Sequence, residues 1–386
     1  MARLNKPKTS ANKNDNIKFA MVSHQTENIG DEIQSIAARR FLPKIDYYID
    51  REDLTSFRPK PNEIVKIILN GWYLINPKKW PPTSACFVPL LTSMHINQKK
   101  PDILKVFNSS ASQSFLRSNG PVGARDISTL SYLKSHKIPA YFSGCLTLTL
   151  ERNKQIPRQD YILAVDLSDR VINHIKKHTK RPVVSLSVYH TSDLSASNRF
   201  ILAEYYLYCY QSAHCVIATR LHAVLPSLAF ETPVVLIKDA NKYEKERFDG
   251  LDSFVHSISE NDFIKNYDMS QLEKPHKNSR EYLKYRDDLI HICSSFTGYN
   301  SDQGCCSLGG LEKMHQDPDY MQFFFKSLTK SYQAPVIDVL NAKIKNQQSV
   351  INGLDKEMQN ILSSKSWAIT KPLRRITEKL KSIINK

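Results

Sequence analysis

Short apolar runs alternate with stretches of helical apolar spacing, and this alternation runs through once and then restarts. In the first round "IKFAMVS" (17–23) reads as a buried strand, and "NIGDEIQSIAARRFL" (28–42) sets apolar residues at 33, 36, 37 and 41, the spacing of one helix face. Further strands are expected within 64–70 and 85–94, then a helix over 126–138 and a strand in "PAYFSG". The polar stretch "ERNKQIPRQD" (151–160) reads as a linker. Beyond it "YILAVDLS" and "PVVSLSVYH" read as strands, "NRFILAEYYLYCYQSA" as an amphipathic helix, and 215–237 as strand, helix, strand. This pattern fits parallel sheets covered by helices, so two α/β halves are expected. Ligands of such sheets bind at the C-terminal ends of the strands, which directs attention to the loops after Ser23, Asn70, His95, Ser143, Asp166, His190 and Thr219.

The chain has 386 residues, about two domains' worth, and 41% hydrophobic residues suffice for real cores. The expected layout is a disordered basic N-terminus (1–16), an N-terminal half (17–155), a C-terminal half (156–300), an irregular linker (301–335) and a helical tail (336–386). In the tail Ile337, Leu340, Ile344, Gln347, Ile351, Leu354, Met358 and Ile361 alternate spacings of three and four, a heptad pattern over 337–361. It suits a helix packed on its own domain or a self-associating coiled coil, and Gly353 within it costs about 1 kcal/mol. Residues 364–386 join Trp367, Ile369, Leu373, Ile376, Leu380 and Ile383 to a series of Lys and Arg with a single Glu. Such a segment suits anionic headgroups as well as it suits a solvated helical tail.

Lys and Arg number 54 against 38 Asp and Glu, a formal charge of +16 that favours an anionic partner: nucleic acid, anionic lipid or a phosphorylated substrate. No nucleic-acid module is recognised and part of the excess lies at the two ends, so nucleic acid is set aside. The seven cysteines are scattered and mostly in apolar surroundings, as in a reduced compartment, and no His/Cys spacing suggests zinc. The N-terminus lacks the apolar core of a signal peptide, and no apolar run approaches the ~20 residues of a membrane span, so a cytoplasmic protein is expected.

Three stretches could carry chemistry. In "SHQTENIGDEIQ" (23–34) Gly30 permits a close ligand approach, Asp31 is placed to cap the following helix, and polar residues including Glu27 and Asn28 surround helix amides suited to an anion or a sugar hydroxyl. In "GPVGARDISTLSYLK" (120–134) Asp126 or Ser128 can cap a helix, and Arg125 just before it is either an ion-paired surface residue or a clamp for phosphate or carboxylate. Arg220 and His222 lie between the apolar strand "CVIAT" and "AVLPSLAF". Two residues two apart share no helix face, but at a strand-to-helix junction both can line a crevice, and Pro226 suggests a helix that begins late or kinks.

Taken in order, "NIGDEIQSIA", "PVGARDISTLSYLKSHKIPAYFSGCLTLTL" and "VIATRLHAVLPSLAFETPVVLI" resemble the polysaccharide pyruvyl transferase family, over about residues 17–260. The resemblance implies two Rossmann-like domains in a GT-B-like arrangement, and transfer of the pyruvyl group of phosphoenolpyruvate to a sugar as a ketal, with release of phosphate. It puts Arg125, Arg220 and His222 at the phosphoenolpyruvate site and matches Asn28, Gly30 and Asp31 to the first strand-to-helix loop, while Ala223 and Pro226 depart from the family's usual residues. Within that chemistry His222 is the expected general acid, and Asp31, or Glu27 beside it, the expected acceptor of the sugar hydroxyl proton. No metal and no cofactor beyond the donor substrate is implied.

The acceptor would be a bacterial surface polysaccharide or its lipid-linked precursor. The "SKSWAITKPLRRI" segment is similar to the C-terminal ends of many bacterial surface-polysaccharide glycosyltransferases, which implies a cytoplasmic enzyme held peripherally on the inner face of the plasma membrane through 364–386, with self-association through 337–361. Two other readings stay open: a GT-B-type glycosyltransferase using a nucleotide sugar, and a membrane-associated scaffold that is not an enzyme.

Overall fold

The computed structural model describes residues 16–73, 79–83, 87–189, 195–239, 243–299, 352–360 and 363–364. The chain divides into two units, Met1–Tyr332 and Gln333–Lys386. The first holds two parallel sheets, each wound with helices.

The first sheet is built from β1 (Ile17–Ser23), β2 (Tyr47–Asp50), β3 (Ile64–Tyr73), β4 (Phe87–Ile96), β5 (Val122–Ala124) and β6 (Ala140–Phe142), in the spatial order β2-β1-β3-β4-β5-β6. Every pairing is parallel. The crossovers carry α1 (Gly30–Arg39), α2 (Pro101–Phe107), α3 (Ser110–Ser118) and α4 (Ile127–Ser135). The cap of α4 falls to Asp126, whose Oδ1 accepts the Thr129 N–H at 2.9 Å. Asp31 does not cap α1. The Gly30 N–H at that helix start is bound instead by Asn28 Oδ1 at 2.9 Å.

The second sheet contains β7 (Ile162–Val165), β8 (Val183–Leu186), β9 (Cys215–Ala218), β10 (Val234–Lys238) and β11 (His256–Ser259) in the order β11-β10-β9-β7-β8, again wholly parallel. β7 and β9 are apolar and buried at every position, as strands covered on both faces must be. Between and after these strands run α5 (Asp169–Lys177), α6 (Ala196–Ser212), α7 (Leu221–Ala229), α8 (Lys245–Phe248), α9 (Glu260–Asn266) and α10 (Leu283–Thr297). α5 shows how little sequence fixes such a helix: Ser168 caps it through the Val171 N–H, and Val171 and Ile175 turn inward one turn apart. Each such side chain, fully buried, is worth about 1.5–3 kcal/mol.

α7 neither starts late nor waits for Pro226. It begins at Leu221, directly after Arg220, and Pro226 lies inside it. Placed so near the start, the proline removes only one interior hydrogen bond, the one its missing N–H would give to the His222 carbonyl.

The two sheets are joined by more than the linker. The Ile29 N–H binds the Val188 carbonyl at 2.9 Å, and Asn28 bridges to Tyr189, so the loop after β1 is tied to the loop after β8. Glu32 of α1 and Arg199 of α6 form a bidentate buried ion pair at 2.6 and 3.0 Å. α10 returns to the first sheet: Lys66 Nζ of β3 donates to the Phe296 carbonyl at 2.7 Å, and Tyr285 meets the edge of Phe142.

In the second unit residues 352–360 are helical and exposed, with Leu354 and Met358 uncovered. The rest of the expected heptad and nearly all of the basic segment 364–386 lie outside the described residues. Cys145, Cys209, Cys215 and Cys293 are free and buried. Among the described residues no helix is long and apolar enough to cross a membrane.

Candidate active site

The C-terminal ends of β1, β4, β5, β9 and β10 deliver the charged and imidazole side chains expected of a strand-end site. Arg125 follows β5, and its backbone is pinned by the Arg125 N–H to the Met94 carbonyl at 2.8 Å. Its side chain is fully buried. The nearest carboxylate, Asp126 Oδ2, stands 3.6 Å from Nε, and Nε, Nη1 and Nη2 have no hydrogen-bond partner. Burial lowers the basicity of the guanidinium, with Arg247 adding to the effect and Asp126 opposing it. A buried cation left without hydrogen bonds costs several kcal/mol.

His222 is the second residue of α7, buried, with Nε2 unpartnered. Burial first, then the charge of Arg125, push its pKa well below 6.5; Asp31 pulls the other way. Arg220, at the N-cap of α7, is more engaged. Its Nε donates to Asp166 Oδ2 at 2.9 Å and its guanidinium lies 4.9 Å from the centre of the Tyr189 ring. Arg220 is therefore the more exposed, one edge of its fork committed, while Arg125 and His222 are buried.

The cleft is lined by Asn28, Thr219, Arg220, His222, Glu244 and Arg247, together with Phe248. Arg247 was not foreseen. It follows β10 on α8, its Nε is buried without a partner, and its Nη1 is 3.6 Å from Glu244. The signal for it was faint, since "KYEKERFD" reads as an ordinary charged surface turn.

The first loop brings Asn28, Gly30 and Asp31 to the same place with unequal freedom. A Cβ on Gly30 would stand 2.7 Å from His222 Nδ1, so the glycine is what allows α1 and His222 to touch. Asp31 is buried and committed: Oδ2 accepts from Thr26 at 2.7 Å and faces Arg51 Nη1 at 3.3 Å, and Oδ1 accepts from Gln34 at 3.2 Å. Burial alone would raise its pKa, but Arg51, His24 and the Thr26 bond outweigh it and hold the carboxyl well below the usual range. Glu27 is exposed.

His95, near the end of β4, is buried on the strand that pairs with β5, which Arg125 follows. Its Nδ1 lies 2.6 Å from Asp126 Oδ2 and its Nε2 is buried with no partner. Burial, then Arg125, lower its pKa to about 4 against the pull of Asp126. The sequence marks His95 as a strand end; its partner is 31 residues away, and only the pairing of β4 with β5 brings them together.

The fold is a paired-sheet α/β one whose strand ends bury arginines beside two imidazoles. The match is specific: the model of the polysaccharide pyruvyl transferase family fits residues 28–241, and the chain belongs to that family. It is accordingly a transferase, with a polysaccharide acceptor implied. No curated protein matches the chain. Among solved structures, an uncharacterized protein of Klebsiella pneumoniae is similar at 12% identity and a TM-score of 0.39, over 64% of this chain and 94% of that one. The wall teichoic acid polymerase TagF is similar at 10% identity and a TM-score of 0.28, over 82% of this chain and 91% of that one.

Proposed function

We propose that the protein transfers the pyruvyl group of phosphoenolpyruvate to two hydroxyls of a sugar in a bacterial surface polysaccharide or its lipid-linked precursor, in a cleft between two halves arranged as in GT-B enzymes. The observation that carries the choice of donor is the buried Arg125 guanidinium with no hydrogen-bonded nitrogen, beside the equally unsatisfied Arg247 Nε. Phosphoenolpyruvate brings a phosphate and a carboxylate, the two groups a planar guanidinium binds best. Arg220 supplies a third cation, and the Asn28–Gly30 loop faces the acceptor.

Ketal formation begins with a proton delivered to the methylene carbon of the donor, which leaves positive charge at the carbon bearing the phosphate. His222 is the donor of that proton: it is buried beside the anion site with Nε2 free. Its depressed basicity in the free protein is reversed when the donor's negative charges stand between it and the arginines. One sugar hydroxyl attacks the cationic carbon; the second then displaces phosphate. The basic segment 364–386 would hold the enzyme against an anionic membrane, where a lipid-linked acceptor resides.

The test is release of phosphate from phosphoenolpyruvate by the purified protein, with saccharide acceptors from a polysaccharide-producing bacterium. Release that depends on acceptor and is lost in Arg125→Ala supports the reading. No release with any acceptor, together with saturable binding of a nucleoside diphosphate, would replace it with glycosyl transfer.

A further inference from the structure

We propose that His95 is the group that takes the proton from the attacking sugar hydroxyl, with Asp126 as the residue that positions it. The inference rests on the pyruvyl-transfer reading and assigns a step that reading leaves open. A carboxylate can only accept, so the 2.6 Å contact with Asp126 fixes the hydrogen of the neutral imidazole on Nδ1. The lone pair is thereby placed on Nε2, which is buried and unpartnered. Asp126 is itself held, since its other oxygen caps α4 through the Thr129 N–H. The imidazole sits on the strand beside Arg125, whose backbone N–H binds the Met94 carbonyl next to it in the chain, and both Arg125 and Arg247 bear on its charge. It is thus neutral and poised to accept on the strand next to Arg125.

Asp31 is the weaker candidate for this step. Its two oxygens already face Thr26, Gln34 and Arg51, so a proton could be taken only by breaking that set. With His95 as acceptor the protons balance. His222 gives its proton to the methylene carbon, a new C–H bond forms, and the oxygen of the first hydroxyl bonds to the cationic carbon while its proton passes to His95 Nε2. The second hydroxyl then bonds to the same carbon as the C–O bond to phosphate breaks; its proton restores His222, and His95 returns its own to the departing phosphate. Two hydroxyl protons are consumed, one in the methyl group and one in phosphate.

The experiment compares His95→Ala and Asp126→Asn with the wild-type protein for phosphate release from phosphoenolpyruvate, and for donor binding by calorimetry. His95→Ala is expected to lose about 100- to 10,000-fold in kcat with little change in donor affinity. Added imidazole should restore part of the rate, more as pH rises from about 6 to 8 and the free base accumulates. Asp126→Asn keeps an oxygen to cap α4 but turns an amide N–H toward His95 Nδ1, forcing the hydrogen onto Nε2. It should lose at least about 100-fold in kcat while the KM for phosphoenolpyruvate and the melting temperature stay near wild type. Retention of more than about a tenth of kcat by His95→Ala, loss of donor binding in that variant, or full activity of Asp126→Asn overturns the assignment. A wild-type protein that releases no phosphate overturns the parent reading instead.

Discussion

Gly30 and His222 are in van der Waals contact across the two halves of the molecule: a methyl group on Gly30 would come within 2.7 Å of His222 Nδ1 and 3.0 Å of its Cβ. Gly30 opens α1 and has no positive φ, so alanine suits its backbone and would by itself favour the helix by about 1 kcal/mol. Gly30→Ala is therefore expected to leave the melting temperature within a few degrees of wild type while displacing His222 and cutting kcat by about 10- to 100-fold. A variant with full activity would show that the imidazole can move without consequence.

Arg125 predicts a trade between stability and function. Its guanidinium is fully buried and none of its nitrogens is hydrogen-bonded within the protein. Arg125→Met removes an unsatisfied charge and fills most of its volume, so the variant should be more stable by about 1–3 kcal/mol in urea unfolding. It should also lose the stabilisation that phosphoenolpyruvate gives the wild type, about 2.7 kcal/mol at a hundredfold excess over Kd. A destabilised variant would mean the arginine serves the fold.

Glu32 and Arg199 tie α1 to α6, and their separation should be felt as a function of pH. Burial pushes the Glu32 carboxyl up to about 7 even against the bidentate hold of Arg199. A carboxyl raised above its unfolded value binds more protons folded than unfolded, so its contribution weakens as pH rises from about 4.5 through the folded value. Arg199→Met removes the counter-charge and raises Glu32 further. The variant should lose about 3–5 kcal/mol at pH 8 and visibly less at pH 6, where Glu32 can take up a proton. Glu32→Gln combined with Arg199→Met should recover much of the loss and flatten the pH dependence.

Two of the strands that carry the site were legible because they are mostly apolar: 17–23 and 215–218 coincide with β1 and β9. The strands β2, β5 and β11 were not, because runs of three or four residues show no period and take their conformation from the neighbouring strand. The same division holds in the cleft. Arg220 and His222 stand out in sequence because they follow an apolar strand, and Arg125 because it directly precedes a helix. Arg247 does not, since it sits among other charges, and the bond between His95 and Asp126 exists only through the pairing of two strands. The commitment of Asp31 to Arg51 was equally hidden, twenty residues of chain separating the partners.

Donor binding should draw a proton into the cleft. In the free protein His222 is kept neutral by burial first and by the charge of Arg125 next, with Arg247 and His24 adding and Asp31 opposing. A donor charge about 5 Å away contributes about 3 kcal/mol at an effective dielectric constant near 20, roughly two pKa units upward. A group whose pKa is higher in the complex than in the free protein is protonated on binding, so affinity weakens as pH rises through the value in the complex. Phosphate monoesters lose their last proton near pH 6, so between about pH 7.5 and 8 any proton taken up comes to the protein and not from rearrangement of the donor. Calorimetric titration of phosphoenolpyruvate in two buffers of different ionisation enthalpy should then give a fractional net proton uptake that shrinks as pH rises, and His222→Asn should abolish it while leaving Arg125 to bind the donor. An uptake unchanged in that variant would move the titrating group elsewhere in the cleft and remove the support for His222 as the acid.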